Sequence, residues 1–502
     1  MHDPQALRKI VILGGGTAGW MAALPLAQRL RRGGAAPVIE LVESAEIGTI
    51  GVGEATLPPI RFFNASLGLD NAEFIRRTQA SFKLGIEFAD WGKVGESFFH
   101  GFGDHGPPID TRSSYAYWLR LRHEGAIGAL ADWSVPTEMA RQGRFTPPLE
   151  GPPSAANAYA YAFHFDAGLY AAYLREHALA AGVVRTEGQV VEVERRPGDG
   201  FVSALRLADG RRVEGDLFID CSGFRALLIE GVMQAGFEDW SHWLPCDRAL
   251  AVPSGRMAQL PPFTRSAATP AGWTWRIPLQ HRTGNGHVYC SRFMDDDEAA
   301  RLLLAGLPTP ATDVPRPIRF TAGRRRRCWV GNVVAVGLSS GFLEPLESTS
   351  IQLILDAVGR LLMLLPDRSF EPHLAAEFNR LMARQYESIR DFIILHYTLS
   401  RRDDQPFWRE LRTMPLPDTL AHQIALFRDS GRVAVLDPDG FAEPSWVAIM
   451  NGMGVLPRRH DPLTHGIDAA ALRGHFARLR EAIVGTVRTM PSHDAFLAAL
   501  AA

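Results

Sequence analysis

The chain has 502 residues, 46% of them hydrophobic and 22% charged, which is ordinary globular usage and excludes a disordered or collagen-like polymer. Its 53 basic and 55 acidic side chains leave a net charge of −2, so no electrostatic argument favours nucleic acid or an anionic membrane as the main partner. Four cysteines (Cys221, Cys246, Cys290, Cys328) stand without a CxxC pair, which argues against a disulfide framework or a metal site and fits a reducing cytoplasm.

The length suits two or three domains of roughly 150 residues, or one large enzyme fold with insertions. Residues 10–13 are a short apolar, strand-like run, too short for the core of a signal peptide. Residues 14–18 read as a turn. Residues 20–31 have helical spacing through Met21, Leu24, Ala27 and Leu30, with Pro25 expected to kink the helix. Residues 38–42 are a second strand, so the chain opens as strand–turn–helix–strand, the start of a doubly wound sheet.

Residues 103–108, 146–153 and 261–272 are rich in Pro and Gly and read as surface connections. Residues 158–181 read as helix, 183–207 as short strands with a turn at 197–200, and 216–222 and 333–337 as buried strands. Arg324 to Arg327 reads as a solvated strand edge. The most apolar stretch, 351–365, contains Asp356 and Arg360 and stops at Pro366, so a buried helix is expected there and not a membrane span. Helical spacing also dominates residues 371–399, 420–428 and 469–488. The expected fold class is therefore α/β, a doubly wound Rossmann-like core with added β-sheet and a mainly helical C-terminal portion. Residues 1–350 would form the cofactor-binding part with inserted substrate segments, and residues 351–502 the helical part that completes the substrate pocket.

Gly14-Gly15-Gly16-Thr17-Ala18-Gly19 is a GxGxxG sequence after a strand and opening a helix. Gly14 suits the tight turn, Gly16 a close approach of backbone to a pyrophosphate, and Gly19 close packing of helix on strand. The helix N-terminus, at Thr17 and Ala18, offers N–H donors. Glu43 follows the second strand, 24 residues after Gly19, where a carboxylate can accept from ribose hydroxyls. The motif alone does not separate FAD from NAD. Ile50-Gly51-Val52-Gly53-Glu54-Ala55-Thr56 and Asp220-Cys221-Ser222-Gly223 favour an extended FAD, with Gly53, Glu54, Ala55, Ser222 and Gly337 as further contacts, and no second GxGxxG offers an NAD(P)H module.

Four segments together resemble the flavin-dependent tryptophan halogenases: 14–19, 51–56, Trp273-Thr274-Trp275-Arg276-Ile277-Pro278 as the family's WxWxIP, and Gly341-Phe342-Leu343-Glu344-Pro345-Leu346-Glu347-Ser348-Thr349-Ser350. Phe82-Lys83-Leu84-Gly85 before Phe88-Ala89-Asp90-Trp91 resembles the family's catalytic-lysine segment. The resemblance implies that FAD, supplied reduced by a separate NAD(P)H-dependent flavin reductase, reacts with O2 to a flavin hydroperoxide that oxidises chloride or bromide to hypohalous acid. It further implies that Lys83 directs the halogen onto an electron-rich, indole-type ring. Glu347 would stabilise the cationic ring and help remove its proton. Lys83 and Glu347 lie 264 positions apart, so only a fold could bring them together.

By the same resemblance, Thr349 and Ser350 hold the halide on backbone amides. Trp273, Trp275, Pro345 and Ser348 line the passage, and His100, Phe102 and Trp446 are aromatic candidates for the substrate pocket. His164 and Asp166, read as part of the helix before Tyr170, have either a family role or a structural one. The bland readings are core packing for the aromatics and a helix-capping or salt-bridged role for Glu347. Free-tryptophan members use a paired-tyrosine lid, but this chain has no Tyr-Tyr, and its corresponding stretch reads Phe441-Ala442-Glu443-Pro444-Ser445-Trp446. A free or substituted indole, or an aromatic borne by a peptide or carrier, therefore stands beside tryptophan. A soluble cytoplasmic enzyme with no bound metal, no nucleic acid and no membrane partner is expected, and a homodimer is allowed. Two other readings remain: a single-component FAD-dependent aromatic hydroxylase, which would reduce its own flavin, and a non-catalytic flavin-binding protein, indifferent to Lys83.

Overall fold

The computed structural model describes residues 5–31, 36–44, 53–125, 127–151, 154, 157–434 and 440–501. The chain forms two compact units, each threaded from three segments: Met1–Ala80, Phe165–His242 and Phe320–Glu387 in one, and Ser81–His164, Trp243–Arg319 and Ser388–Ala502 in the other.

The first unit is built on a six-stranded sheet in the order Trp329–Val330, Val333–Ala335, Leu217–Asp220, Lys9–Leu13, Val38–Glu43, Val184–Glu187. All neighbours run parallel except the first pair. Ile10, Val11 and Ile12 have no exposed surface, as a central parallel strand covered on both faces requires. The helix Thr17–Leu30 follows at once, and Pro25 lies inside it without ending it. Every residue from Gly19 to Ala27 is buried, and that packing offsets the hydrogen bond the proline cannot donate. An antiparallel meander, Val190–Arg195, Val202–Leu207 and Arg212–Glu214, adds Val202, Leu205 and Leu207 to a core shared with Val11, Phe218 and Val333.

Two expectations change here. Residues 158–181 are not one helix: Ala162–Phe165 is a fully buried strand, and the helix is Ala167–Ala180, started by the Asp166 carboxylate accepting from Gly168 and Leu169 N–H. His164 is therefore a strand residue and Asp166 an N-cap. The arginine run is solvated only in its second half. Arg324 is buried and pairs with Glu238 and Glu387, and Arg325 pairs with Glu230. The helix Ser350–Met363 is buried as expected, and its charges are answered internally: Arg360 donates to Gln385 Oε1 at 2.6 Å and Asp356 accepts from Gln352 at 2.9 Å.

The second unit holds a seven-stranded sheet in the order Arg316–Arg319, Arg248–Gly255, Arg282–Tyr289, Gly272–Pro278, Thr264–Thr269, Gly85–Ala89, Ser97–Gly101. Only Thr264–Thr269 and Gly85–Ala89 run parallel to each other. The stretch 261–272, expected as a surface connection, thus contains a strand, and Thr264 and Ser266 on it are buried. His100 lies within the strand Ser97–Gly101. The C-terminal part is helical: Pro406–Thr413, Asp418–Ser430, Glu443–Gly452, Ala469–Thr489 and His493–Ala501. Among the described residues no helix is long and apolar enough to cross a membrane, and no group of three or more His, Cys, Asp or Glu could hold a metal ion.

Candidate active site

In the first unit, parallel strands bring their C-terminal ends to one edge of the sheet, and with them the turn after Lys9–Leu13, Glu43, the turn after Asp220 and Gly337. Gly14 adopts φ +117°, closed to most side chains, and its N–H donates to Val42 O at 2.8 Å. A Cβ at Gly19 would collide with the Gly14 carbonyl oxygen, so only glycine lets the helix start this close to the strand. Gly16 is the N-cap, and neither a side-chain cap nor an acidic residue occupies the first turn at Thr17 and Ala18. The leading N–H groups are thus left to an anion, which fits the pyrophosphate of a dinucleotide. Glu43 ends its strand with its carboxylate paired to Arg185, so one oxygen is already engaged. Ser222 spends its hydroxyl inside the turn, donating to Asp220 Oδ1 at 2.6 Å and accepting from Leu227 N–H at 2.8 Å.

Gly53 has φ +87° and leads into the short strand Glu54–Ala55; Gly51 and Val52 lie outside the described residues. Desolvation, and secondarily the Asp166 carboxylate, push the Glu54 carboxyl up to about 7. Asp166→Asn keeps a capping acceptor for the helix but removes that charge. We expect the Glu54 midpoint to fall below 7 while thermal stability changes by less than about 1 kcal/mol, as read by carboxyl-region infrared titration and calorimetry.

The segment after Phe342 is a single turn, Pro345–Glu347, followed by Ser348 at φ +62° and the helix Ser350–Met363. Glu347 is buried and does not cap that helix, whose N-cap is Thr349, so the capping reading of Glu347 does not hold. Thr349 is 1% exposed, and among the described residues its hydroxyl has no hydrogen-bond partner, an orphaned donor at a helix start where an anion would be welcome.

In the second unit, Lys83 lies on the strand Ser81–Lys83 with no exposed surface, although lysine is among the residues least often buried. It is also one of only three lysines in the chain, with Lys9 and Lys93, against fifty arginines. That scarcity is a signal the motif reading passed over. Its Nζ stands 5.1 Å from the centroid of the Phe102 ring, a cation–π geometry. The Phe102 N–H donates to Leu84 O at 2.8 Å, which fixes the ring beside the lysine. From Phe102 the aromatics continue: His100 at 6.3 Å, then Phe392 and Phe441 stacked at 3.9 Å, then Trp446 edge-on to Phe392 at 4.9 Å. His100, Phe102 and Trp446 are thus gathered around one aromatic wall with Lys83. Phe392 in that wall was not foreseen, because nothing local distinguishes it from core.

Trp273 and Trp275 project from the same strand, 6.0 Å apart, and Trp273 packs on Trp91 at 6.5 Å. Among the described residues the buried Trp275 indole N–H has no hydrogen-bond partner. At the end of the wall, Glu443 accepts from Ser113 Oγ at 3.2 Å. Burial, and the neighbouring Asp104 carboxylate, raise its pKa, while burial beside His100 pushes His105 down to about 4.

The profile of the tryptophan halogenase family matches residues 9–469. The chain belongs to the tryptophan halogenase family. It is 36% identical to the tryptophan 7-halogenase RebH of Lentzea aerocolonigenes, covering 97% of this chain and 98% of that one. It is 34% identical to the tryptophan 6-halogenase SttH of Streptomyces toxytricini, covering 98% of both. Among solved structures it resembles BrvH, a flavin-dependent halogenase from Brevundimonas sp. BAL3, with TM-score 0.95 and 47% identity over 99% of this chain and 100% of that one. It also resembles a flavin-dependent halogenase from Xanthomonas campestris, with TM-score 0.94 and 44% identity over 99% and 98%. As a tryptophan halogenase family member the chain is an enzyme, a flavin-dependent halogenase on an FAD-binding α/β fold. The open helix start and the glycine turn of the first unit fit that cofactor.

Proposed function

We propose that this enzyme halogenates an indole-type aromatic, with Lys83 delivering the halogen and Glu347 assisting. Bound FAD, reduced by a separate reductase, supplies with O2 the oxidising power that turns chloride or bromide into hypohalous acid. The residues of the glycine turn, Glu43, Gly53 to Ala55, Ser222 and Gly337 would hold it. Thr349 and Ser350 would hold the halide, and the orphaned Thr349 hydroxyl supports that assignment. Pro345, Ser348, Trp273 and Trp275 would shape the passage.

The observation that carries the reading is a lysine with no exposed surface beside an aromatic wall. A small oxidant reacts with any nucleophile it meets, so selectivity requires that it be caught where only the substrate can follow. An amine there can hold the halogen by hydrogen bonding or as a haloamine and present it to one ring carbon. The ring carbon gains the halogen and loses its proton to Glu347, which would pass it on, so that the hydroxide released from the hypohalous acid ends as water. Flat walls of Phe102, His100, Phe392, Phe441 and Trp446 suit an indole.

The test supplies reductase, NADH, FAD, bromide or chloride, and either indole or tryptophan. Halogenated product by mass spectrometry is the expected result. A product carrying oxygen would favour the hydroxylase, and no product with either halide would overturn the proposal for these substrates.

A further inference from the structure

Ser81 and Lys83 share one face of their strand, since successive side chains alternate. The strand pairs antiparallel with Ala162–Phe165, setting Ser81 directly opposite His164. His164 is therefore on the lysine's face, diagonal to it, with no exposed surface. Three hydrogen bonds meet there. Ser81 Oγ lies 2.5 Å from Pro278 O and 3.0 Å from His164 Nδ1, and His164 Nε2 lies 2.9 Å from Thr264 Oγ1.

The proton positions follow from the partners. The Pro278 carbonyl can only accept, so the single Ser81 proton points to it. Ser81 Oγ then accepts from His164 Nδ1–H. With that nitrogen protonated in a neutral ring, Nε2 accepts from the Thr264 hydroxyl. The chain runs Thr264 to His164 to Ser81 to Pro278, each donor matched to one acceptor. Burial, with the charge of Lys83 and then that of His493, pushes the imidazole pKa well down, so the ring stays neutral. Pro278 closes the WxWxIP strand, and the relay binds that strand to the one carrying the lysine.

We infer that Ser81, His164 and Thr264 are positioning residues that fix the Lys83 amine relative to the Trp273–Pro278 strand, so that captured halogen is delivered and not lost. The inference rests on the reading of Lys83 as the capturing amine. An apolar trio would pack as well without the cost of burying three polar groups, so what the relay adds is direction. A displacement of about 1 Å at a reacting group is enough to cost roughly a hundredfold.

The experiment measures halogenated indole and hypohalite trapped by a soluble scavenger in the same reaction, for wild type, Ser81→Ala, Thr264→Val, Thr264→Ser and Lys83→Ala. We expect the ratio of trapped hypohalite to product to rise about tenfold in Ser81→Ala and Thr264→Val, and to return toward wild type in Thr264→Ser, which keeps the hydroxyl. A second readout needs no turnover. With Lys9→Arg and Lys93→Arg, only Lys83 carries a 13Cε-lysine label. Its two ε protons should be inequivalent in the parent and averaged in Thr264→Val. Unchanged ratio and unchanged spectrum in Ser81→Ala and Thr264→Val, while Lys83→Ala loses product, would overturn the relay alone. Product and trapped hypohalite falling together would mark the trio as structural and overturn it too. Wild-type product from Lys83→Ala would instead remove the reading on which the relay rests.

Discussion

Lys83→Met is expected to lower halogenated product by about a hundredfold or more, the range seen when a single polar group that acts on the transition state is deleted, while FAD binding is retained. The substitution keeps the length and apolar stem of the side chain in a strand whose three residues are all buried, so the fold has little reason to change. What it removes is the amine above the Phe102 ring. No other lysine can substitute. Lys9 is paired with Glu40 at 2.5 Å, and Lys93 is exposed on a bend. Product by mass spectrometry and FAD affinity by flavin fluorescence are the two measurements. Full halogenation by this variant would take Lys83 out of the mechanism.

That Lys83 is buried was legible in the sequence because the pattern around it is local. Phe82, Leu84 and Ile86 advertise a buried strand, and a charged residue among them demands an explanation. The nucleotide turn was legible for the same reason: strand, glycines and helix are consecutive, and the positive φ at Gly14 is written in its residue type. The seven-stranded sheet was not legible. Thr264–Thr269 reads Thr-Arg-Ser-Ala-Ala-Thr, with no apolar alternation, and it is a strand because Gly85–Ala89 and Gly272–Pro278 pair with it on either side. Arg282–Tyr289 contains two glycines, a composition that argues against a strand, yet Gly286 is where the Trp275 ring needs room. Residues 158–181 failed as one helix because Ala162–Phe165 is claimed by pairing with Ser81–Lys83 before Asp166 can start the helix.

The lysine's strand is held from its other side by a residue that sequence reasoning did not single out, and this sets how the protein meets acid. His493 Nδ1 lies 2.8 Å from Leu260 O and must donate to it, so its Nε2 accepts the Phe82 N–H at 3.1 Å. Protonation would set N–H against N–H. Burial pushes this imidazole down to about 4, Arg256 adds to the fall, and the Leu260 carbonyl and Asp494 oppose it. The unfolded chain titrates near 6.5. Between these values the unfolded state binds more protons, so the stability is fully present above about pH 6.5 and is lost as the pH falls through 4. The loss amounts to about 3 kcal/mol, and His164, displaced in the same direction, adds to it. His493→Gln removes the titration and weakens at least one of the two hydrogen bonds, so it should be less stable at pH 7 by about 1–3 kcal/mol but fall more shallowly in acid. Urea unfolding at pH 7, 6, 5 and 4 should show the two stability curves converging toward pH 4. Curves that stay parallel would mean that the acid sensitivity of the fold does not pass through His493.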